Sequence, residues 1–161
     1  MTRQYPNSPV VGVGVVVWRG EDTLLIRRGR PPGEGNWSLA GGAQELGETV
    51  FEAARREVME ETNLAVEVLA LIDVVDSIRR DDDGRIQYHY TLVDVLAEWR
   101  SGDAQPLDDA AEVAWVPFGR IGRFELWSET RRIIRLGHQL RESIAGGRSD
   151  SLVIRRFLDS K

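Results

Sequence analysis

Between Gly41 and Leu64 the chain passes from a glycine pair, through a short polar stretch, into a helix that carries its acids beside its apolar face. No other stretch of the 161 residues limits the fold so tightly. Thr49, with Glu52 three residues later, is a capping-box pattern and starts the helix. Val50, Phe51, Ala54 and Val58 recur at helical spacing and supply an apolar face. Asn63 tolerates the left-handed conformation that a helix end often needs, and it closes the segment. A helix turns about 100° per residue, which puts Glu57, Glu60 and Glu61 together roughly 80° from the centre of the apolar face. They border the buried side, while Glu52 and Met59 take the outer side.

Side chains at these spacings have Cβ atoms about 5–6 Å apart, so three carboxylates repel one another unless something offsets the charge. Two offsets are open. Arg55 and Arg56 neutralise part of it and leave a solvated acidic face, or a hard divalent cation takes oxygen ligands from the cluster. The residues ahead of the helix, Ala40 to Glu48, read as a loop. Its glycine pair, Gly41-Gly42, lets the backbone approach closely and frees a carbonyl to join such a cage.

The rest of the chain supplies mainly strands. Val10 to Trp18 is a β-rich run broken only by glycines, and Thr23 to Arg28 pairs with it as a hairpin. Gly29 to Asn36 is a loop, and Trp37 to Leu39 a short strand. Leu64 to Ile78 and Gln87 to Trp99 flank Asp81-Asp82-Asp83-Gly84, a hairpin-turn signal without the spacing of a calcium loop. Ser101 to Ala110 is a loop, and Glu112 to Pro117 is a last strand. Trp127 to Ser143 is an amphipathic helix with Trp127, Ile133, Ile134, Leu136 and Leu140 on or near its buried side, and a short tail follows over 147–161. This order predicts one α/β domain over 1–161, an α/β/α sandwich on a mixed sheet. Without cysteine, thiol nucleophiles and thiolate zinc sites are excluded. A net charge of −5 argues against a partner that is a nucleic-acid polymer. No apolar run is long enough for a membrane span and residues 1–9 show no secretory pattern, so a cytoplasmic location is expected.

Gly42, Glu48 and the run Arg56-Glu57-Val58-Met59-Glu60-Glu61-Thr62-Asn63-Leu64 resemble the box of the Nudix hydrolase family, the MutT-like hydrolases, over residues 42–64. The departures are Asn63, where the box usually has glycine, and Ala40, where proline commonly precedes the glycine pair. The wider resemblance runs from about Val10 to Arg135 and includes Asn36-Trp37-Ser38-Leu39 and Asp108-Asp109 through Pro117. It implies a Nudix-type α/β/α sandwich that hydrolyses the pyrophosphate bond of nucleoside diphosphate derivatives. It implies Mg²⁺, with Mn²⁺ as substitute, held by Glu57, Glu60, Glu61 and the Gly41 carbonyl. Arg56 would brace the glutamates and Glu48 would hold the loop.

Members of the family take the proton from water either with a box glutamate, here Glu57, or with a later acid. Glu112 is the expected later acid, with Asp108 and Asp109 as weaker candidates. Arg85 to Trp99, Gly102 and Asp108-Asp109 are similar to a short bacterial subgroup of ADP-ribose pyrophosphatases, whose products would be AMP and ribose 5-phosphate. Trp18, Tyr88, Tyr90 and Trp115 are aromatic candidates for stacking on a base, although such residues more often pack in a core. Arg27 or Arg28 is the candidate phosphate contact, while His89 reads as a packed strand residue. Two rivals share the machinery: hydrolysis of an oxidised nucleoside triphosphate such as 8-oxo-dGTP, and a non-catalytic ligand sensor, which the intact box acids disfavour. Relatives often pair, so a homodimer is a further expectation.

Overall fold

A computed structural model of the chain describes residues 3–147. Its elements are β1 (Val10–Arg19), β2 (Asp22–Arg28), β3 (Trp37–Ser38), β4 (Ala40–Ala43), α1 (Val50–Thr62), β5 (Ala65–Arg80), β6 (Ile86–Ser101), β7 (Ala110–Pro117), a 3₁₀ turn (Phe118–Arg123) and α2 (Ser128–Ala145). The expected tail beyond Gly147 lies outside the described residues.

The strands form one mixed sheet in the order β3-β2-β1-β6-β5, with β4 added to β1 and β7 to β2. Only β1 and β6 run parallel; the other pairs are antiparallel. Side chains of β1 alternate across the sheet and serve two cores. Val15 and Val17 meet Ala54 and Val58 of α1 on one side, and Val16 and Trp18 share the other with Ile133 and Ile134 of α2. Helix, sheet and helix therefore stack as the α/β/α sandwich that the sequence predicted.

Two local expectations need correction. Ala40–Ala43 is a strand, pairing with β1 from Gly12↔Ala43 to Val15↔Ala40. Its glycines look like loop residues, yet Gly41 faces Gly14 and Gly42 faces Val13 across the ladder, where the backbones approach closely. Trp127 is half-exposed, standing at the N-cap of α2 where the chain enters the helix rather than on its buried face. Phe118–Arg123, unassigned in the sequence, turns the chain from β7 toward α2.

Helix α1 begins and ends as its sequence requires. The Thr49 side chain accepts from the Glu52 N–H, and the Glu52 carboxylate accepts from the Thr49 N–H at 2.8 Å. Asn63 adopts φ 59° and its N–H donates to the Met59 carbonyl.

Candidate active site

A cleft of about 690 Å³ crosses the glycine-bearing end of β1 and β4 and reaches from the α1 glutamates to the start of α2. Gly12 and Gly14 leave its floor without side chains. Glycine is needed at two neighbouring points. A Cβ on Gly41, whose φ is +152°, would lie 2.0 Å from the Val13 carbonyl oxygen. A Cβ on Gly42 would lie 2.5 Å from the Glu57 carboxylate, so this acid packs directly on the β4 backbone.

At the acidic end, Arg56 is the organising cation. Its Nε and Nη2 donate to the two oxygens of Glu48, at 2.6 and 2.9 Å. Nη2 also donates to the Ala43 carbonyl (3.0 Å), which ties α1 to the end of β4. Nη1 donates to Glu57 (2.9 Å) and Glu60 (3.0 Å). This paired fork is the strong form of a charge-assisted hydrogen bond. The guanidinium and the Glu45 N–H hold the Glu48 carboxyl down at about 2. The guanidinium in turn is held charged, its own pKa raised.

Glu61 is 3% exposed, and its Oε2 accepts the Gly41 N–H at 2.9 Å. Burial pushes its carboxyl up to about 7, the Gly41 N–H opposing and the Glu57 charge adding to the effect. Burial also raises Glu57, with Arg56 opposing. Glu60 stays half-exposed.

These acids fit a hard divalent cation by chemistry. Three carboxylates share one edge of the helix, and two of them are desolvated enough that a further positive charge would favour their ionised forms. The ligand shell is not drawn together: among the described residues no trio of His, Cys, Asp or Glu is placed to hold an ion as it stands. Glu57 and Glu60 share the Arg56 Nη1, and Glu61 is turned to Gly41. Binding would require the carboxylates to rotate away from these partners.

Gly41, Arg56, Glu57, Glu60, Glu61, Arg28 and Tyr88 all line the cleft, together with Asp108 and Asp109. Arg28 is fixed by donating from Nε to the Pro32 carbonyl at 2.8 Å. Three expected site residues lie elsewhere. Trp18 is 0% exposed in the α2-side core, edge-on to Phe118 and His138, so it has no face for a base. Trp115 packs on the α1-side core beneath the Arg19 guanidinium, 4.2 Å from the ring centroid. Glu112 is exposed and ion-paired with Arg27 at 2.6 Å, because the β2–β7 register sets those two residues opposite each other. It does not line the cleft, whereas Asp108 and Asp109 do.

The far end of the cleft holds residues that sequence reasoning passed over. Trp37, Trp127 and Glu125 stand at its wall and mouth. Asp94 is 5% exposed on β6. Burial raises its carboxyl to about 7, the Asp73 charge adding and the Arg132 guanidinium opposing. A signal for Asp94 was present, since it is a lone acid inside the apolar strand run Leu92-Val93-Asp94-Val95-Leu96.

The site is a carboxylate-edged cleft between a mixed sheet and a capped helix, in an α/β/α sandwich. The NUDIX domain model matches residues 8–137, and the chain belongs to that family. It is 38% identical over 104 residues to an ADP-ribose pyrophosphatase of Methanocaldococcus jannaschii, a match covering 65% of this chain and 59% of that protein's length. It is 35% identical over 123 residues to the nucleoside triphosphatase NudI of Salmonella arizonae, covering 70% of this chain and 82% of that one. The crystal structure of a MutT NUDIX hydrolase from Burkholderia pseudomallei superposes with a TM-score of 0.70 at 30% identity, covering 81% of this chain and 98% of that one. No helix among the described residues is long and apolar enough to cross a membrane.

Proposed function

We propose that the chain hydrolyses the pyrophosphate bond of nucleoside diphosphate derivatives, with ADP-ribose the substrate and AMP and ribose 5-phosphate the products. The observation that supports this most is the two-ended cleft, with carboxylates suited to cation-bound phosphates at one end and aromatic and apolar walls at the other. The similarity to an ADP-ribose pyrophosphatase points the same way.

Glu57, Glu60 and Glu61, with the Gly41 carbonyl, would hold Mg²⁺ or Mn²⁺. A bound divalent ion neutralises and orients the phosphates and makes water more acidic. The remaining work falls to this chain's own groups. Arg56 sets the helix against the end of β4 through Glu48 and the Ala43 carbonyl, and holds Glu57 until a bound ion takes it over. Arg28 lies where it would meet a phosphate. As water adds to phosphorus, Glu57 accepts its proton, and the anhydride P–O bond breaks toward the second phosphate. Asp108 and Asp109 are the other cleft acids available for that proton.

Full-length protein with Mg²⁺ and ADP-ribose should release AMP and ribose 5-phosphate, with most of the rate lost in Glu57→Gln. The NudI similarity favours one second reading, hydrolysis of a nucleoside triphosphate to its monophosphate. Turnover of 8-oxo-dGTP or another triphosphate, with ADP-ribose untouched, would decide for it.

A further inference from the structure

Asp94 is a carboxylate in a place where carboxylates are costly. It is 5% exposed, and among the described residues no hydrogen bond reaches its carboxylate. Its side chain lies over Gly14, where a Cβ would come within 2.1 Å of its Oδ1, so the floor glycine makes room for it. The nearest cation is already engaged. Arg132 of α2 donates to Asp73 of β5 at 2.7 Å and pairs with Glu129 at 2.7 Å. Asp73 stands opposite Asp94 in the β5–β6 ladder, and Glu129 lines the same cleft, so the charges facing Asp94 from β5 and α2 are two acids and one shared arginine. Neither Asp94 oxygen is among the fully buried atoms left without a partner; the carboxylate opens into the cleft it lines, where a ligand can meet it.

Its position says which part of the ligand. Asp94, Gly14 and Gly41 lie side by side on three adjacent strands, so Asp94 is two strand spacings, about 10 Å, from the backbone whose N–H holds Glu61. With phosphates at the glutamates, a nucleoside laid toward Gly14, over which the Asp94 carboxylate reaches, brings its base to that carboxylate. Leu92, Tyr88 and Tyr90 of the same strand line the cleft beside it, which suits a flat ring.

We propose that Asp94 selects the nucleobase, its carboxyl oxygen accepting a hydrogen bond from the exocyclic amine of an aminopurine. This rests on the proposed nucleotide reading of the cleft and adds a specificity-determining residue to it. Adenine's 6-amine and guanine's 2-amine offer the same chemistry.

Two nucleotide pairs separate them, each differing by one amino group. AMP is compared with purine riboside 5′-monophosphate, and GMP with IMP. Affinities are measured by calorimetry on the full-length protein, with and without Mg²⁺. In wild type, removing the amine that Asp94 reads should weaken binding at least about tenfold, since it strands a buried acceptor. The adenine pair is expected to show it. Asp94→Leu should bind both members of that pair within about twofold, while Asp94→Asn, which keeps an acceptor oxygen, should retain the preference. Should the leucine variant not fold, Asp94→Ala, which likewise has no side-chain acceptor, makes the same test. Equal binding within both pairs by wild type, or a preference that survives in Asp94→Leu or Asp94→Ala, overturns the assignment. Because binding is read apart from turnover, amine-dependent binding without ADP-ribose hydrolysis would sink the proposed reaction and leave Asp94's role intact. Hydrolysis with an unchanged preference in the variants would do the reverse.

Discussion

Glu61→Gln should stabilise the metal-free protein at pH 8 while weakening its hold on Mg²⁺. In the folded chain the Glu61 carboxyl is pushed from 4.5 to about 7, chiefly by burial. The unfolded chain therefore gives up this proton first as pH rises. Stability falls from about pH 4.5 and levels off above about pH 7, where the cost of the buried charge is about 3 kcal/mol. Glutamine keeps an oxygen to accept the Gly41 N–H, but brings an amide N–H₂ whose missing partners cost about 1 kcal/mol. The net gain is about 2 kcal/mol, roughly 4–8 °C in Tm for a domain of this size. Thermal melts in EDTA at pH 8 and pH 4 read it. The variant should melt higher at pH 8, and the gain should be gone at pH 4, where Glu61 is protonated in both states. With saturating Mg²⁺ the order should reverse, because only wild type gains fully from the ion. A variant that melts below wild type at pH 8 in EDTA, or a gap unchanged between the two pH values, would refute the burial reasoning.

Gly42→Ala should cut turnover more than tenfold with little change in Tm, because its Cβ would displace the Glu57 carboxylate 2.5 Å away rather than any core residue; steady-state kinetics and a melt decide it. Arg56→Ala should cost about 2–3 kcal/mol in urea denaturation, since Glu48, Glu57 and Glu60 lose their shared cation, and Arg56→Lys, with no fork, should recover only part. Asn63→Ala should cost about 1 kcal/mol for its left-handed φ of 59°, and Asn63→Gly should be near neutral by the same assay.

The α1 segment was readable because its determinants are local. The Thr49–Glu52 box, the apolar spacing and the side carrying Glu57, Glu60 and Glu61 all follow from one helical period, and the structure reproduces each. Strand β4 was hidden because Ala40-Gly41-Gly42-Ala43 has no strand composition; it pairs only because Gly12 and Gly14 meet it from a distant strand. Glu112 was misplaced for a similar reason, since its pairing with Arg27 depends on a register set across the whole sheet. Trp18 and Trp115 illustrate the limit for aromatics. A ring in a strand serves a core or a ligand equally well, and only the third dimension separates Trp18, buried on the α2 side, from Tyr88 in the cleft.

The proposed cation site on α1 is tested by a Mn²⁺ titration of the full-length protein at pH 7.5, followed by electron paramagnetic resonance, with Glu57→Gln/Glu61→Gln alongside wild type. Wild type should bind Mn²⁺ at sub-millimolar concentration and release it to excess Mg²⁺, and the folded double variant should leave nearly all of it free. Equal Mn²⁺ binding by both proteins, or none by wild type, would contradict it.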